Sequence, residues 1–506
     1  MATLQELRSE RLRKLEELKT LGINPYPARS ERTHYLRQIT DNFDSLEGQE
    51  VNVVGRITNI RKFGKIAFIV VRDKSGSLQL FLRGGIVQDL DAGTSRLGMD
   101  QLPLLDGGDF IEAHGKVIKT QTGEISIEVT RLRLLSKSLR PLPAHDGFTN
   151  KEERLRRRYV DTNANPDVYQ RFIRRSHFWQ ATRTFLIDEG FTEINIPVLE
   201  LTTGGADANP FVTHMDALDQ DFYLRISHEL PLKRLLVGGY EKVFDIGPRF
   251  RNENYSDEHL PEHVAMEWYW AYADWEKGME LTERLVRFIA DKTWGHRTFK
   301  LPNGSEVDLG PDGEHWPRIS FVDVIKEHYG LDVFTCTLDE VKEQLKKHNV
   351  EVEKQDNRAR GIDKLWKKIR TTIEGPAFLV DIPTFLQPLA KTQAGNPELT
   401  EQFNLLLGGS ELCKAYSELN DPVDQLGRFK EQQAMRDAGD EEAQMLDIDY
   451  VEALEYAMPP ACGFGFSERL FWYLEGVTAR EGVVFPQLRR EVDEVTKGIY
   501  PDLKLG

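Results

Sequence analysis

With 506 residues and a mass of 58.2 kDa, the chain is too long for one ordinary core and implies two to four domains at about 100–200 residues each. It is 40% hydrophobic and 29% charged, has a mean hydropathy of -0.48, and holds no apolar run of the roughly 18 residues a membrane span needs, so no membrane association is expected. A net charge of -16 argues against indiscriminate binding of nucleic acid, because the mean field repels a polyanion and only a local basic surface would serve. In chain order, residues 1–48 read as a lead-in, where Leu4, Leu7, Leu12, Leu15 and Leu18 recur at nearly helical spacing up to Gly22 and predict one exposed helix before Pro25 and Pro27. Its mixture of Arg, Lys and Glu suits neither a signal peptide nor an acid-poor transit peptide.

From Val51 the pattern turns to short β-branched and aromatic runs: VNVVGRITNIRKFG, KIAFIVVRD, SGSLQLFL, DFIEAHGKVIKT and EISIEVTRLRLL. These five strand candidates within residues 49–140 read either as a small closed barrel of the oligonucleotide-binding kind or as another five-stranded antiparallel domain. Between Val51 and Gly85 stand seven basic residues against one acid, whereas Asp437 to Glu455 holds eight acids and no base. Pro141 and Pro143 open a linker, residues 141–165, whose Arg154, Arg156, Arg157 and Arg158 read as a solvated helix face or a contact to a phosphate backbone. Residues 166–506 alternate long amphipathic helices (168–189, 278–294) with aromatic-rich strands (222–226, 243–246, 377–382). This predicts an α+β domain on a mainly antiparallel sheet, with a helical insertion at about 300–375. Cys336, Cys413 and Cys462 are too scattered for a disulfide framework or a zinc site, which predicts a reducing, cytoplasmic setting.

Three stretches carry chemistry. In FRNEN (250–254), Arg251 and Glu253 are two apart, so on a strand they would face the same way and hold an anion beside a hydrogen-bond partner. In GFGFSERLF (463–471), two glycines would let another backbone come close before a helix that begins near Arg469; a plain glycine turn reads equally from the letters. In GGSELCKAYSELNDP (408–422), Glu411 and Glu418 flank Tyr416 at a spacing that fits neither one strand face nor a metal box.

Taken together and in order, these stretches resemble the class II aminoacyl-tRNA synthetases, most closely the lysyl-tRNA synthetase family, over nearly the whole chain. The first motif is similar to GFTEINIPVL with Pro197, the second to FRNEN through MEWYWAY, and the third to GFGFSERL. Segments typical of the lysine enzymes are TTGGADANPFVTH, YLRISHELPLKRLLVGG and SELNDP.

The resemblance implies an N-terminal OB-fold barrel that binds the anticodon of tRNA(Lys), followed by a class II catalytic domain flanked by helices. It also implies ATP, L-lysine and Mg²⁺ in the reaction and a homodimer that meets around the first motif. Lysine would be activated as lysyl-adenylate and passed to the 3′ end of the tRNA. By the same resemblance Arg251 and Arg469 are catalytic and grip the phosphates, with His259 on the distal ones. Glu253 would take the adenine amine, and the ring would lie between Arg469 and His263. Glu411, together with position 404, is the expected Mg²⁺ ligand set. Glu418 would meet the lysine ε-ammonium with Tyr269 beside it, while Glu229, Glu267, Gly204 and Gly205 would hold the α-ammonium. Lys414 and Tyr416 complete the lysine pocket. In the barrel, Phe68 would stack on an anticodon base, with Gln79 and Arg61 at its edge and phosphate; a barrel-core role for Phe68 is the other reading.

Several positions depart from the family. Asn404 stands where glutamate is usual and Lys414 where asparagine is usual, so the expectation is that the Lys414 ammonium partly replaces a cation, pairing with Glu411 or meeting the substrate carboxylate. His263 replaces a phenylalanine and is expected to titrate near neutral pH. Ser467 and Glu468 replace glycine and aspartate, which is expected to shift that loop slightly. Two other readings remain at this stage: a diverged paralogue acting on another amino acid, and a tRNA-binding regulator without catalysis. The family's protein-lysylating relatives lack the barrel, and the retained Arg251, Glu253 and Arg469 disfavour a pure binder.

Overall fold

Ala67, Ile69 and Val71 are buried while Phe68, Val70 and Arg72 are only partly so, the two-residue period of a strand with one face inward. The same alternation runs through β1 (Glu50–Phe63), β2 (Ile66–Arg72), β3 (Ser77–Arg83), β4 (Phe110–Lys119) and β5 (Ile125–Ser136). Neighbours pair antiparallel in the order β3-β2-β1-β4-β5. A parallel pairing of β3 with β5, Gln79 opposite Ser126, closes the ring. The result is the five-stranded OB-fold barrel, with a two-residue strand Arg96–Leu97 added along β5.

The computed structural model describes residues 3–143, 147–206, 208–253, 256, 259–353, 356–387, 389–437 and 444–503. The chain divides into two compact units, Met1–Asn150 with Leu488–Gly506, and Lys151–Gln487. In the first, helix α1 (Leu4–Thr20) is not exposed all round, as its spacing had suggested. It is fixed by a Thr3/Glu6 capping box and buries Arg11, Leu15 and Leu18. Arg11 donates to the carbonyls of Ser138 and Gly107 at 3.0 and 2.9 Å. The sequence assigned residues 166–506 to one domain, but Leu488–Gly506 groups with the barrel unit. Its helix Glu494–Ile499 lies on α1, where the Gln5 amide donates to the Gly498 carbonyl and Arg8 sits 5.4 Å over the Tyr500 ring.

The second unit is built on an eight-stranded sheet of β6 (Thr192–Glu193), β7 (Lys242–Phe250), β8 (Glu262–Ala271), β9 (Arg318–Ser320), β10 (Ala377–Val380), β11 (Gln402–Leu407), β12 (Ser410–Ser417) and β13 (Ala461–Ser467). Its order is β9-β10-β11-β12-β13-β8-β7-β6, antiparallel except for the parallel pairs at each edge. One face packs Trp268, Phe464, Phe466 and Phe403 under helices α2 (Pro166–Asp188) and α4 (Trp275–Thr293), whose buried residues include Phe178, Leu285 and Ile289. The opposite face carries helix α3 (Glu229–Val237). The expected strand near 222–226 is Gln220–Leu224, which pairs outside the large sheet with Val212–Met215 and Leu199–Glu200. The helical insertion contains Phe321–Tyr329, Leu338–Lys347 and α5 (Arg358–Ile369) around a core of their own that includes Phe321 and Trp366.

The arginine run is neither simply solvated nor open to phosphate. Arg158 is buried and bonds Asp161 at 2.7 Å, Arg154 bonds the same carboxylate at 2.8 Å, and Arg156 and Arg157 pair with Glu152 and Glu153. All three cysteines are free and buried. No described helix is long and apolar enough to cross a membrane. The acidic segment after Asp437 lies partly outside the described residues, as do Asn254 and Asp207 of the quoted motifs.

Candidate active site

The strand period that sends Trp268, Phe464 and Phe466 into the core sends Glu267, Tyr269, Gly463 and Gly465 to the other face. Register then aligns them in rows. Lys414, Gly465 and Glu267 lie side by side across three strands, and Tyr416, Gly463 and Tyr269 form the next row. The two glycines are therefore a floor. A Cβ at Gly463 would collide with the Glu418 carboxylate and the Tyr269 ring, and one at Gly465 would press on Glu267. What comes close to these glycines is side chains, not the second backbone the sequence suggested.

Above that floor lies a cavity of about 380 Å³ lined by Gly205, Glu229, Arg251, Glu267, Tyr269, Asn404, Glu411, Lys414, Tyr416, Glu418 and Arg469, among others. Gly204 is buried beneath Leu230 and is not part of the lining. At the closed end, Glu418 is 2% exposed, and behind it Lys233 is 0% exposed. The Lys233 ammonium pairs with Glu418 and with Glu229 Oε1, the latter at 2.5 Å. Tyr416 donates its hydroxyl to the same Glu229 oxygen at 2.7 Å. Burial pushes the Glu418 carboxyl well above the usual range, and Lys233 opposes this. Burial alone would strip Lys233 of its proton, but the two carboxylates outweigh it and hold the ammonium above its ordinary value.

Glu267 behaves differently. Burial also pushes it up, yet the hydrogen bond from His228 and the charge of Arg249 bring it down to about 2. Its oxygens further accept from the Ser227 hydroxyl at 3.0 Å and the Tyr269 hydroxyl at 3.1 Å. Tyr269 thus leans on Glu267, and Glu229 stands with Glu418, so seven of the eight expected lysine contacts, all but Gly204, share one cavity with this pairing exchanged.

Arg251 and Arg469 also line a second hollow of about 140 Å³, together with Glu253, His259, His263 and Trp472. Of the residues expected around ATP, all but Glu411, which lines the larger cavity, therefore meet in one place. β7 ends at Phe250, so Arg251 and Glu253 sit just beyond the strand, not on it. The Arg251 Nε is buried with no hydrogen-bond partner among the described residues, a donor aimed at an absent acceptor. Arg469 is the first residue of helix α6 (Arg469–Glu475) and donates to the Ser410 hydroxyl at 2.8 Å. His259 Nδ1 lies 2.9 Å from the Ser256 hydroxyl.

His263 does not titrate near neutrality. Its Nε2 accepts from Arg249 Nε at 2.7 Å across the β7–β8 register, and burial with the charges of Arg249 and Arg251 pushes the ring well below its ordinary value. Arg249 is in turn lowered to about 10 by burial and by Arg251. Glu468 is fully buried against Arg175 and its N–H reaches the Val264 carbonyl at 2.9 Å, which anchors the third motif.

The expected metal ligands do not fit a metal. Glu411 Oε1 accepts from Trp366 Nε1 at 2.6 Å and from Arg370 at 3.3 Å, and its Oε2 accepts from the Asn404 amide at 2.6 Å. Asn404 Oδ1 is itself occupied by Gln402 at 3.0 Å, so the amide presents its nitrogen to Glu411. A hard cation needs several oxygen ligands. Here one carboxylate, already satisfied by three donors, stands among Arg370 and Lys414. Arg370 pairs with Glu411, and Lys414 lines the same cavity as Glu411 with its ammonium 5.7 Å over the Tyr416 ring.

On the barrel, Arg61 and Phe68 are register partners, and Phe68 lies on the outer face while Ala67 and Ile69 fill the interior. The core reading of Phe68 is therefore excluded. Its ring stacks on Phe81 with centroids 5.3 Å apart, and Phe63 stands edge-on and 63% exposed. The Gln79 amide on the same face donates to the Ser126 hydroxyl at 3.0 Å.

Sequence reasoning missed Lys233, Arg249, Trp366 and Arg370. Only Lys233 left a signal, its position four residues after Glu229.

Residues 150–489 match the family profile of tRNA synthetases class II (D, K and N). Residues 51–135 match that of the OB-fold nucleic acid binding domain. The chain is 41% identical to the lysine-tRNA ligase of Thermosipho melanesiensis over 495 residues, covering 96% of each chain. It is 40% identical to that of Thermotoga maritima over 497 residues, again 96% of each. The lysine-tRNA ligase of Moorella thermoacetica is 42% identical over 489 residues, 96% of this chain and 98% of that one.

Proposed function

The chain belongs to the lysine-tRNA ligase family of class II tRNA synthetases, and from that premise we propose that it activates L-lysine with ATP and charges tRNA(Lys). The lysine carboxylate attacks the α-phosphorus, pyrophosphate leaves, and the tRNA 3′-hydroxyl then attacks the adenylate carbonyl and releases AMP. Both steps need charge held in place in advance more than they need covalent help. Arg251 and Arg469, which reach both hollows, stabilise charge building on the phosphates. A planar guanidinium meets two phosphate oxygens at once, as a lysine ammonium cannot. Adenine rests between Arg469 and the neutral His263 ring, with Glu253 toward its amine. Glu267, held ionised, takes the lysine α-ammonium, and Glu418 takes the ε-ammonium.

Class II synthetases work on ATP that carries a divalent cation, and Mg²⁺ enters here as part of that substrate. No step is assigned to an ion held by Glu411 and Asn404. Arg370 and Lys414 supply fixed positive charge in their neighbourhood, so dependence on free Mg²⁺ beyond that bound to ATP is expected to be shallow.

The barrel face with Phe68, Gln79 and Arg61 takes the anticodon by stacking and edge contacts. Homodimer formation is supported by the exposed Leu199 at the end of the first motif and Leu201, Val212, Met215 and Leu218 after it. A cytoplasmic setting is supported by the free, buried cysteines.

The observation that carries this reading is a buried carboxylate, Glu418, in the wall of a cavity that both arginines also line. Pyrophosphate exchange with each amino acid in turn tests it. Lysine-only exchange is expected, with a loss of about 1,000-fold in Glu418→Gln, as for a buried charge stripped of its partner. Exchange with another amino acid would make the protein a diverged paralogue, and none at all a tRNA-binding regulator.

A further inference from the structure

Lys233 forms no part of the cavity lining, yet it decides what the lining can be. It rises from α3 and is 0% exposed. Glu229 faces it from the same helix and Glu418 from the segment after β12. The rings of Tyr269, Tyr416 and Tyr450 stand 5.9, 5.6 and 5.9 Å from its ammonium. Two carboxylates, one ammonium and three aromatic faces thus make a cation site that the chain has already filled once.

The charges do not close. With Lys233 protonated and both carboxylates ionised, the cluster carries one negative charge in the buried wall of the cavity, which its two acidic members line. A buried charge of that kind demands a partner. We infer that Lys233 is a specificity-setting positioning residue: it supplies one of the two positive charges that Glu229 and Glu418 require, leaving room for a single further ammonium, that of the amino-acid substrate. This deepens the proposed lysine specificity and rests on it. Without Lys233 the two facing carboxylates would repel each other, one would keep a proton at neutral pH, and the far end would no longer insist on a cation. The other titratable groups nearby are Glu267 and the Cys462 thiol, both of which interact with Glu418, and Lys414, whose ammonium stands 5.7 Å over the Tyr416 ring.

The test compares lysine with 2-aminoheptanoate, in which a methyl group replaces the ammonium, by pyrophosphate exchange over a range of pH. In Lys233→Met, kcat/KM for lysine is expected to fall about 100-fold, chiefly through KM. The acid limb of its pH profile should move to higher pH, and preference for lysine over the neutral analogue should drop about 10-fold. Lys233→Arg should restore the position of the acid limb. A Lys233→Met enzyme with unaltered pH limb and unaltered preference, at whatever overall rate, would overturn the inference, since a merely structural lysine would lower the rate alone. Glu418→Gln, which keeps its shape, gives a second reading. With Lys233 balancing Glu229, that pocket has no net charge and should prefer the neutral analogue; continued preference for lysine would also overturn the inference. Failure of the wild type to exchange with lysine at all would instead sink the proposed function.

Discussion

The closed end of the catalytic cavity and the outer face of the barrel are both offered to ligands, but they are built on opposite plans. At that end of the cavity the three carboxylates are buried and already engaged: Glu418 with Lys233, Glu267 with Ser227 and Tyr269, Glu229 with Tyr416. On the barrel the ring of Phe63 is mostly exposed and Phe68 stacks on Phe81. The first plan makes a wrong ligand costly, because an unmatched buried charge stays unmatched. The second accepts many bases at modest gain, because every base has a π-face. Under the proposed function, selection among amino acids would belong to fixed charge, and selection among anticodons to the few polar groups beside the stack.

Substitutions should separate the two plans. The largest effect is expected from Arg251→Ala, which removes a buried guanidinium donor that the proposed function assigns to a phosphate. Adenylate formation should drop about 1,000-fold in kcat, read by pyrophosphate exchange, and a loss under tenfold would break the claim that the cavity is prearranged. Next comes Gly463→Ala, whose methyl collides with Glu418 and Tyr269. About 100-fold is expected, mostly in KM for lysine, with tRNA binding in a filter assay unchanged. Phe68→Ala should do the reverse, raising KM for tRNA about 10-fold while lysine-dependent pyrophosphate exchange keeps its rate.

The smallest effect concerns His263. Its folded-state value is depressed, so the folded protein refuses a proton that the unfolded chain accepts below about pH 6.5. That contribution to stability is present above this pH and is lost as the pH falls below it. His263→Phe should flatten the acid side of the melting-temperature profile by about 1 kcal/mol or less. An acid side as steep as in the wild type would show that the imidazole is not held neutral.

The barrel strands were legible because alternation of buried and open residues is a local, two-residue signal, and only the two-residue strand Arg96–Leu97 was too short to carry one. Arg251, Glu418 and Arg469 were legible through their motifs. Lys233 was not, since a lysine four residues after a glutamate usually marks a solvated helix face, and only the approach of Glu418 from far along the chain makes it a core residue. The state of Glu411 was hidden for the same reason: Trp366 and Arg370 come from the insertion, more than forty positions upstream. His263 looked like a neutral-pH switch until register placed Arg249 opposite it. In each case the chemistry of a side chain was set by a neighbour that no local pattern announces.

The contact between Gln5 and Gly498 joins residues 493 positions apart. During synthesis α1 is made near the start, but the segment that covers it follows only after the whole catalytic unit has been threaded out of the ribosome. The barrel can close early, since its strands are near one another in sequence, while its leading helix waits for a late partner. A chain ending at residue 487 would therefore carry the whole catalytic unit and an anticodon-binding unit whose α1 lacks its late partner.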